Sequence, residues 1–129
     1  MPITYPLSIT TTNFLLSAYG SPLQLYDEKH IVVNLNNFMN IMNSNFKNFR
    51  QYFAVKALPN PNLLKILINN KCLLDCSSLT ELKIAEGLGL SGESIMFTSN
   101  YTSPEELLYA RKMNVIINLD DISLSLIHI

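Results

Sequence analysis

Two apolar runs in this sequence stop on charged residues. In "YFAVKALPNP" the run Tyr52–Val55 ends on Lys56, and in "CLLDCSS" the run Cys72–Leu74 ends on Asp75. Such endings put an amine and a carboxylate where the chain leaves the core. An amine at a partly desolvated rim gives up its proton more readily, and the free amine condenses with carbonyl groups to form Schiff bases. A carboxylate one strand away could balance its charge and orient it. On pattern alone, the commoner reading of Lys56 is a solvated strand-end lysine.

The surrounding elements must bring these two groups together. "LQLYD" (Leu23 to Asp27) reads as a strand, and "EKHIVVNLNNFMNIMNSNF" follows as an imperfectly amphipathic helix with Ile31, Leu35, Phe38 and Met42 at helical spacing. "YFAVK", "CLLD", "SIMFTS" and "VIINLD" read as further strands. "NLLKILINN", "SLTELKIAEGLGL" and "SPEELLYARKM" read as the helices between them, and "DISLSLI" as the start of another. Pro59 and Pro61 precede their helix, where a missing N–H does no harm. Ser78 and Glu81 have capping-box spacing, Gly87 or Gly89 can stop that helix, and Ser103 with Pro104 opens the next. Residues 1–20 are polar and irregular, a lead-in rather than core; residues 21–129 form the repeating part.

Regular alternation of strand and helix predicts a parallel sheet with right-handed crossovers. No G-x-G-x-x-G follows the first strand, so the dinucleotide-binding version is disfavoured. The class expected is α/β, an incomplete (β/α)8 TIM-type barrel with about five of its eight units. The open edges of such a sheet would make it prone to aggregate.

In parallel α/β folds ligands bind at the carboxyl ends of the strands. Those ends carry Tyr26 and Asp27, Lys56, Asp75, Asn100, and Asn118 with Asp120. Asp27 and Asp120 read first as helix caps, Asn100 as a turn residue or a ligand contact, and Asn118 as a strand-end amide.

Composition excludes several classes. Of 129 residues, 48% are hydrophobic and 15% charged, which argues against disorder. A net charge of −1 without a basic stripe argues against nucleic acid or an anionic membrane as partner. No run approaches the roughly 20 apolar residues of a membrane span. The first residues lack the pattern of a secretion signal, so the location expected is cytoplasmic and the "NYT" triplet at Asn100 is taken as chance. Cys72 and Cys76 on one strand stand roughly 13 Å apart at about 3.3 Å per residue. A disulfide needs Cα atoms within about 7 Å, so both are expected to be buried free thiols, and no metal site is expected.

Taken together, "YFAVKALPNPNLLKIL", "LDCSSLTELKIAEGLGLSGESIMFTSN" and "INLDD" resemble the N-terminal part of pyridoxal-phosphate-dependent decarboxylases of the alanine-racemase-like barrel class. Diaminopimelate decarboxylase is the nearest resemblance, with ornithine and arginine decarboxylases more distant. The likeness runs from about Tyr19 to about Ile122. It implies that Lys56 carries pyridoxal 5′-phosphate as a Schiff base and that Asp75 lies beside the cofactor. Ala54 and Ser78 match pocket-lining positions, and Asn100 matches an amide-bearing loop more weakly. "AVKALPNP" lacks the Y-G-H-G continuation of alanine racemases, which favours a decarboxylase.

The activity implied is decarboxylation of a small amino acid, meso-diaminopimelate to L-lysine in lysine biosynthesis, by a homodimer. The alternatives are an ornithine- or arginine-type decarboxylase, a non-catalytic regulator that has kept the decarboxylase fold, or a small one-domain pyridoxal-phosphate protein of the same class. The family's glycine-rich phosphate loop, ring-stacking histidine, pyridine-pairing acid and β-rich second domain are not in these residues. The chain is therefore expected to be an N-terminal fragment, inactive alone.

Overall fold

The structure is a computed structural model, and it describes residues 7–121. Its centre is a four-stranded sheet: β1 (Tyr52–Ala54), β2 (Leu73–Cys76), β3 (Ile95–Thr98) and β4 (Ile116–Asn118), in sequential order. All three pairings are parallel. Helices α3 (Pro61–Asn69), α4 (Leu79–Gly87) and α5 (Pro104–Lys112) make the crossovers, preceded by α1 (Ile9–Tyr19) and α2 (Glu28–Asn45). Sequential order without reversal is the winding of a (β/α) barrel, not of a doubly wound sheet.

The three crossover helices enter the core alike. Each buries a pair three residues apart: Leu64 and Leu67, Leu82 and Ala85, Leu107 and Ala110. They meet Leu74, Cys76, Ile95 and Phe97, all essentially inaccessible, on one face of the sheet. Burying each such aliphatic or aromatic side chain contributes roughly 1.5–3 kcal/mol. On the opposite face, Leu73, Asp75, Met96 and Thr98 are only half-buried. Strand register sets Ala54, Asp75, Met96 and Ile116 in one row across that face.

The helix ends repeat as well. After α3, α4 and α5 the chain takes a left-handed residue, Lys71 (φ 66°), Gly89 (φ 83°) and Asn114 (φ 57°). In each case the next N–H returns to the helix: Cys72 to Leu67, Leu90 to Ala85, Val115 to Ala110. This double-bonded stop satisfies the last carbonyls and aims the chain back to the sheet.

Two expectations are corrected. "LQLYD" is not a strand: residues 23–27 pair with no neighbour, and Leu25 and Tyr26 are exposed. Four strands are therefore described, not five. Alternating apolar residues favour extended chain, but a strand also needs another backbone to meet its N–H and C=O groups. The lead-in is not irregular, because Ile9–Tyr19 is helical with Ser8 as its cap. That helix buries no residue. Within α2, Ile31 and Leu35 pack on the core, whereas Phe38 is exposed and meets Phe49 edge-on at 6.0 Å. The helix expected from "DISLSLI" lies, apart from Asp121, outside the described residues.

Candidate functional site

The carboxyl ends of the strands gather most of the expected site residues. Ala54 ends β1 and pairs in register with Asp75 of β2. Beyond Ala54 the chain leaves the strand for a single 3-10 turn, Val55–Ala57, whose Leu58 N–H bonds the Val55 carbonyl. Val55 is fully buried and anchors the turn, while Lys56 is exposed upon it. The partial burial expected of Lys56 is absent. No ion pair joins it to Asp75 either; among the described residues the ion pairs are His30–Asp27 and Arg50–Glu93. The tight turn ends the strand at Ala54, so Lys56 lies beyond the register that pairs Ala54 with Asp75.

Asp75 is half-buried, and its Oδ1 is shut off from solvent with no hydrogen-bond partner. Buried carboxylate oxygens are rarely left bare, because desolvation costs about 1–3 kcal/mol or more when no donor compensates. Its neighbour in the row, Ala54, offers only a methyl group. The row therefore supplies Oδ1 with no donor from Ala54.

Ser78 is the cap of α4, its Oγ accepting the Glu81 N–H at 3.3 Å. The expected capping box is half-formed, since the Glu81 carboxylate bonds Ser77 instead, through N–H at 2.7 Å and Oγ at 3.1 Å. The complete box is at α5, where Ser103 and Glu106 bond reciprocally. Asn100 is exposed in the loop after β3, next to the left-handed Tyr101. Asn118 ends β4 opposite Thr98, exposed, and Asp120 is exposed just beyond. Asp27 caps α2, accepting the His30 N–H at 3.0 Å, and this bond holds its carboxyl below the usual range. Tyr26, without its strand, joins no rim.

Both thiols are free and buried as expected. Desolvation pushes Cys72 up to about 11; desolvation, then the charges of Glu81 and Asp75, pushes Cys76 up to about 12. They are packing residues rather than nucleophiles.

The other end of the sheet is built differently. Arg50 donates to Glu93 at 2.6 Å and Tyr52 Oη to the Glu93 carbonyl at 2.8 Å, tying β1 to the approach of β3. A cleft of about 510 Å³ opens there, lined by Met39, Phe49, Lys71 and Leu73 among others, away from Lys56 and Asp75. No described helix is long and apolar enough to cross a membrane.

Sequence reasoning missed Glu106, whose second oxygen leaves its own helix to accept the Leu79 N–H of α4 at 3.1 Å. Its only signal was the S-P-E-E start of α5, which announces a cap and not a reach to another helix.

The family described as pyridoxal-dependent decarboxylase, pyridoxal binding domain, matches residues 32–127. Protein TabA of Pseudomonas amygdali pv. tabaci is 43% identical over 110 residues, covering 85% of this chain and 26% of its own length. The chloroplastic ornithine decarboxylase of Nicotiana glutinosa is 29% identical, covering 80% of this chain and 24% of its own length. Among solved structures, diaminopimelate decarboxylase from M. jannaschii in complex with L-lysine superposes with a TM-score of 0.77 at 27% identity, over 89% of this chain and 28% of that one. The chain thus spans about a quarter of the length of the curated relatives it matches. It belongs to the pyridoxal-dependent decarboxylases, within their pyridoxal-binding domain, whose cofactor is pyridoxal phosphate.

Proposed function

We propose that this chain is the cofactor-anchoring part of an amino-acid decarboxylase, with Lys56 as the covalent anchor and Asp75 as its acidic neighbour. The observation that carries the reading is the bare, buried Oδ1 of Asp75 beside Ala54, at the strand end from which the chain turns to Lys56. The residues present fit pyridoxal phosphate: an accessible amine to bond its aldehyde, a carboxylate oxygen lacking a donor, and a small side chain paired with that acid.

When bound, the cofactor supplies the electron sink that lets a carboxylate leave an amino acid as carbon dioxide. The protein's share is binding and proton handling. Lys56 would hold the cofactor through Nζ, and its amine, when not so bonded, would be able to carry a proton. Asp75, at the end of the adjoining strand, would offer Oδ1 as an acceptor to the bound group. Ala54 presents only a methyl group in that row. Ser78 and Asn100 are assigned to the lining of the pocket, Ser78 through the turn that it caps.

For the substrate we assign meso-diaminopimelate, giving L-lysine in the cytoplasm, by a homodimer. The wording "ALPNPNLLKIL" and the likeness to diaminopimelate decarboxylase of M. jannaschii support this assignment. Incubation of the chain with pyridoxal phosphate, borohydride reduction and peptide mapping tests the anchor. The label is expected on Lys56 and lost in Lys56→Ala; a label spread over other lysines refutes the assignment. Carbon dioxide release from diaminopimelate against ornithine and arginine, by the chain extended to its relatives' length, tests the substrate. A preference for ornithine or arginine overturns that choice alone.

A further inference from the structure

Three residues, Cys76, Ser77 and Ser78, join Asp75 to the first turn of α4, and two carboxylates hold this link. Glu81 grips Ser77 from within α4. Glu106 acts from the neighbouring helix. Its Oε2 accepts the Ser103 N–H and O–H, each at 3.0 Å, and its Oε1 accepts the Leu79 N–H at 3.1 Å. A capping box needs only the bonds to Ser103. The Leu79 N–H is one of the donors that α4 cannot satisfy from within, so the third bond fastens one strand-to-helix connection to the next. Both connections lie at the end of the sheet that carries Lys56 and Asp75. The backbone bond from Ser103, opposed by desolvation and aided by the bond from Leu79, holds the Glu106 carboxyl below its usual range.

We propose that Glu106 is a positioning residue of the cofactor site: reaching from α5, it fixes the segment from Asp75 to Leu79 and so keeps the Asp75 carboxylate in its row beside Ala54. The inference rests on the assignment of Lys56 and Asp75 made above. A carboxylate is required because both oxygens accept. In Glu106→Gln the amide nitrogen would oppose one of the N–H donors and leave it unpaired. Ser103→Ala, by contrast, weakens the α5 cap but leaves the bond to Leu79 in place.

The test titrates the 129-residue chain, Glu106→Gln and Ser103→Ala with pyridoxal 5′-phosphate. It follows the Schiff-base absorbance against concentration and pH, maps the Lys56 adduct after borohydride, and measures stability in urea. Comparable losses of stability are expected in both variants. Only Glu106→Gln should weaken Lys56 labelling, by about tenfold for one lost charge-assisted bond, and move the pH midpoint of the absorbance. Should Glu106→Gln not fold, Glu106→Asp takes its place, since it keeps a carboxylate for Ser103 but is one methylene short of Leu79. Labelling that falls in both variants in proportion to stability, or that is unaltered in Glu106→Gln, overturns the positioning role. A wild-type chain without adduct at Lys56 overturns the functional assignment and this inference with it.

Discussion

Gly89→Ala probes the helix stops in isolation. At φ 83° Gly89 is left-handed, and a Cβ there meets nothing within 4 Å. Packing therefore contributes nothing to the substitution. The backbone cost of a left-handed L-residue is roughly 1–2 kcal/mol, and the stiffer unfolded chain returns about 0.4–1 kcal/mol. The net loss expected is about 1 kcal/mol. Small domains lose roughly 1–3 kcal/mol of stability per molar urea, so the midpoint should fall by about 0.5 M. Lys71 and Asn114 occupy the equivalent positions, and glycine there should relieve strain. Lys71→Gly should leave stability level or slightly raised, with Asn114→Gly gaining less, because asparagine tolerates this conformation. All three stops lead into the amino ends of strands, opposite Lys56, so cofactor labelling below the transition should not change. An unaltered midpoint in Gly89→Ala, or an equal fall in Lys71→Gly, would refute the account of the stops; loss of labelling would refute the separation of the two ends.

Other consequences follow from the core and its thiols. Phe97→Ala removes a ring that is 1% exposed and should cost about 3–5 kcal/mol, against about 0.5–1.5 for Ile95→Val; urea melts that rank them the other way would contradict the packing described. Cys72 and Cys76 should resist a thiol reagent at pH 8 and react once the chain is unfolded, and fast labelling of the folded chain would place them at the surface. Because their folded values, about 11 and about 12, stand above the ordinary 9.0, their protons are held in the fold after the unfolded chain has released them. Stability should then decline as pH rises from about 8.5 through those values, a decline that Cys72→Ala with Cys76→Ala should reduce. For Glu106 the folded value is lowered instead, so its contribution is present above the ordinary glutamate range and lost on acidification. Glu106→Gln should therefore flatten the acid limb of a stability profile, and an unchanged limb would count against its bonds to Leu79 and Ser103.

Local grammar made much of this protein readable before any coordinates. Ser78, Ser103 and Asp27 announced helix starts, Gly89 a stop, and the apolar runs Tyr52–Val55 and Cys72–Leu74 the strands that carry Ala54 and Asp75. These signals act within a turn or two of chain, through caps and side-chain period, and so survive in the sequence. The pairing of strands does not act locally. "LQLYD" has the period of a strand but no partner backbone, and the α1 segment looked irregular because its helix buries nothing that would impose a pattern. The 3-10 turn that carries Lys56, the bare Oδ1 of Asp75 and the reach of Glu106 to Leu79 all depend on which residues of distant segments become neighbours. One-dimensional order leaves that open, because hydrogen bonds between elements are chosen by packing rather than by chain proximity.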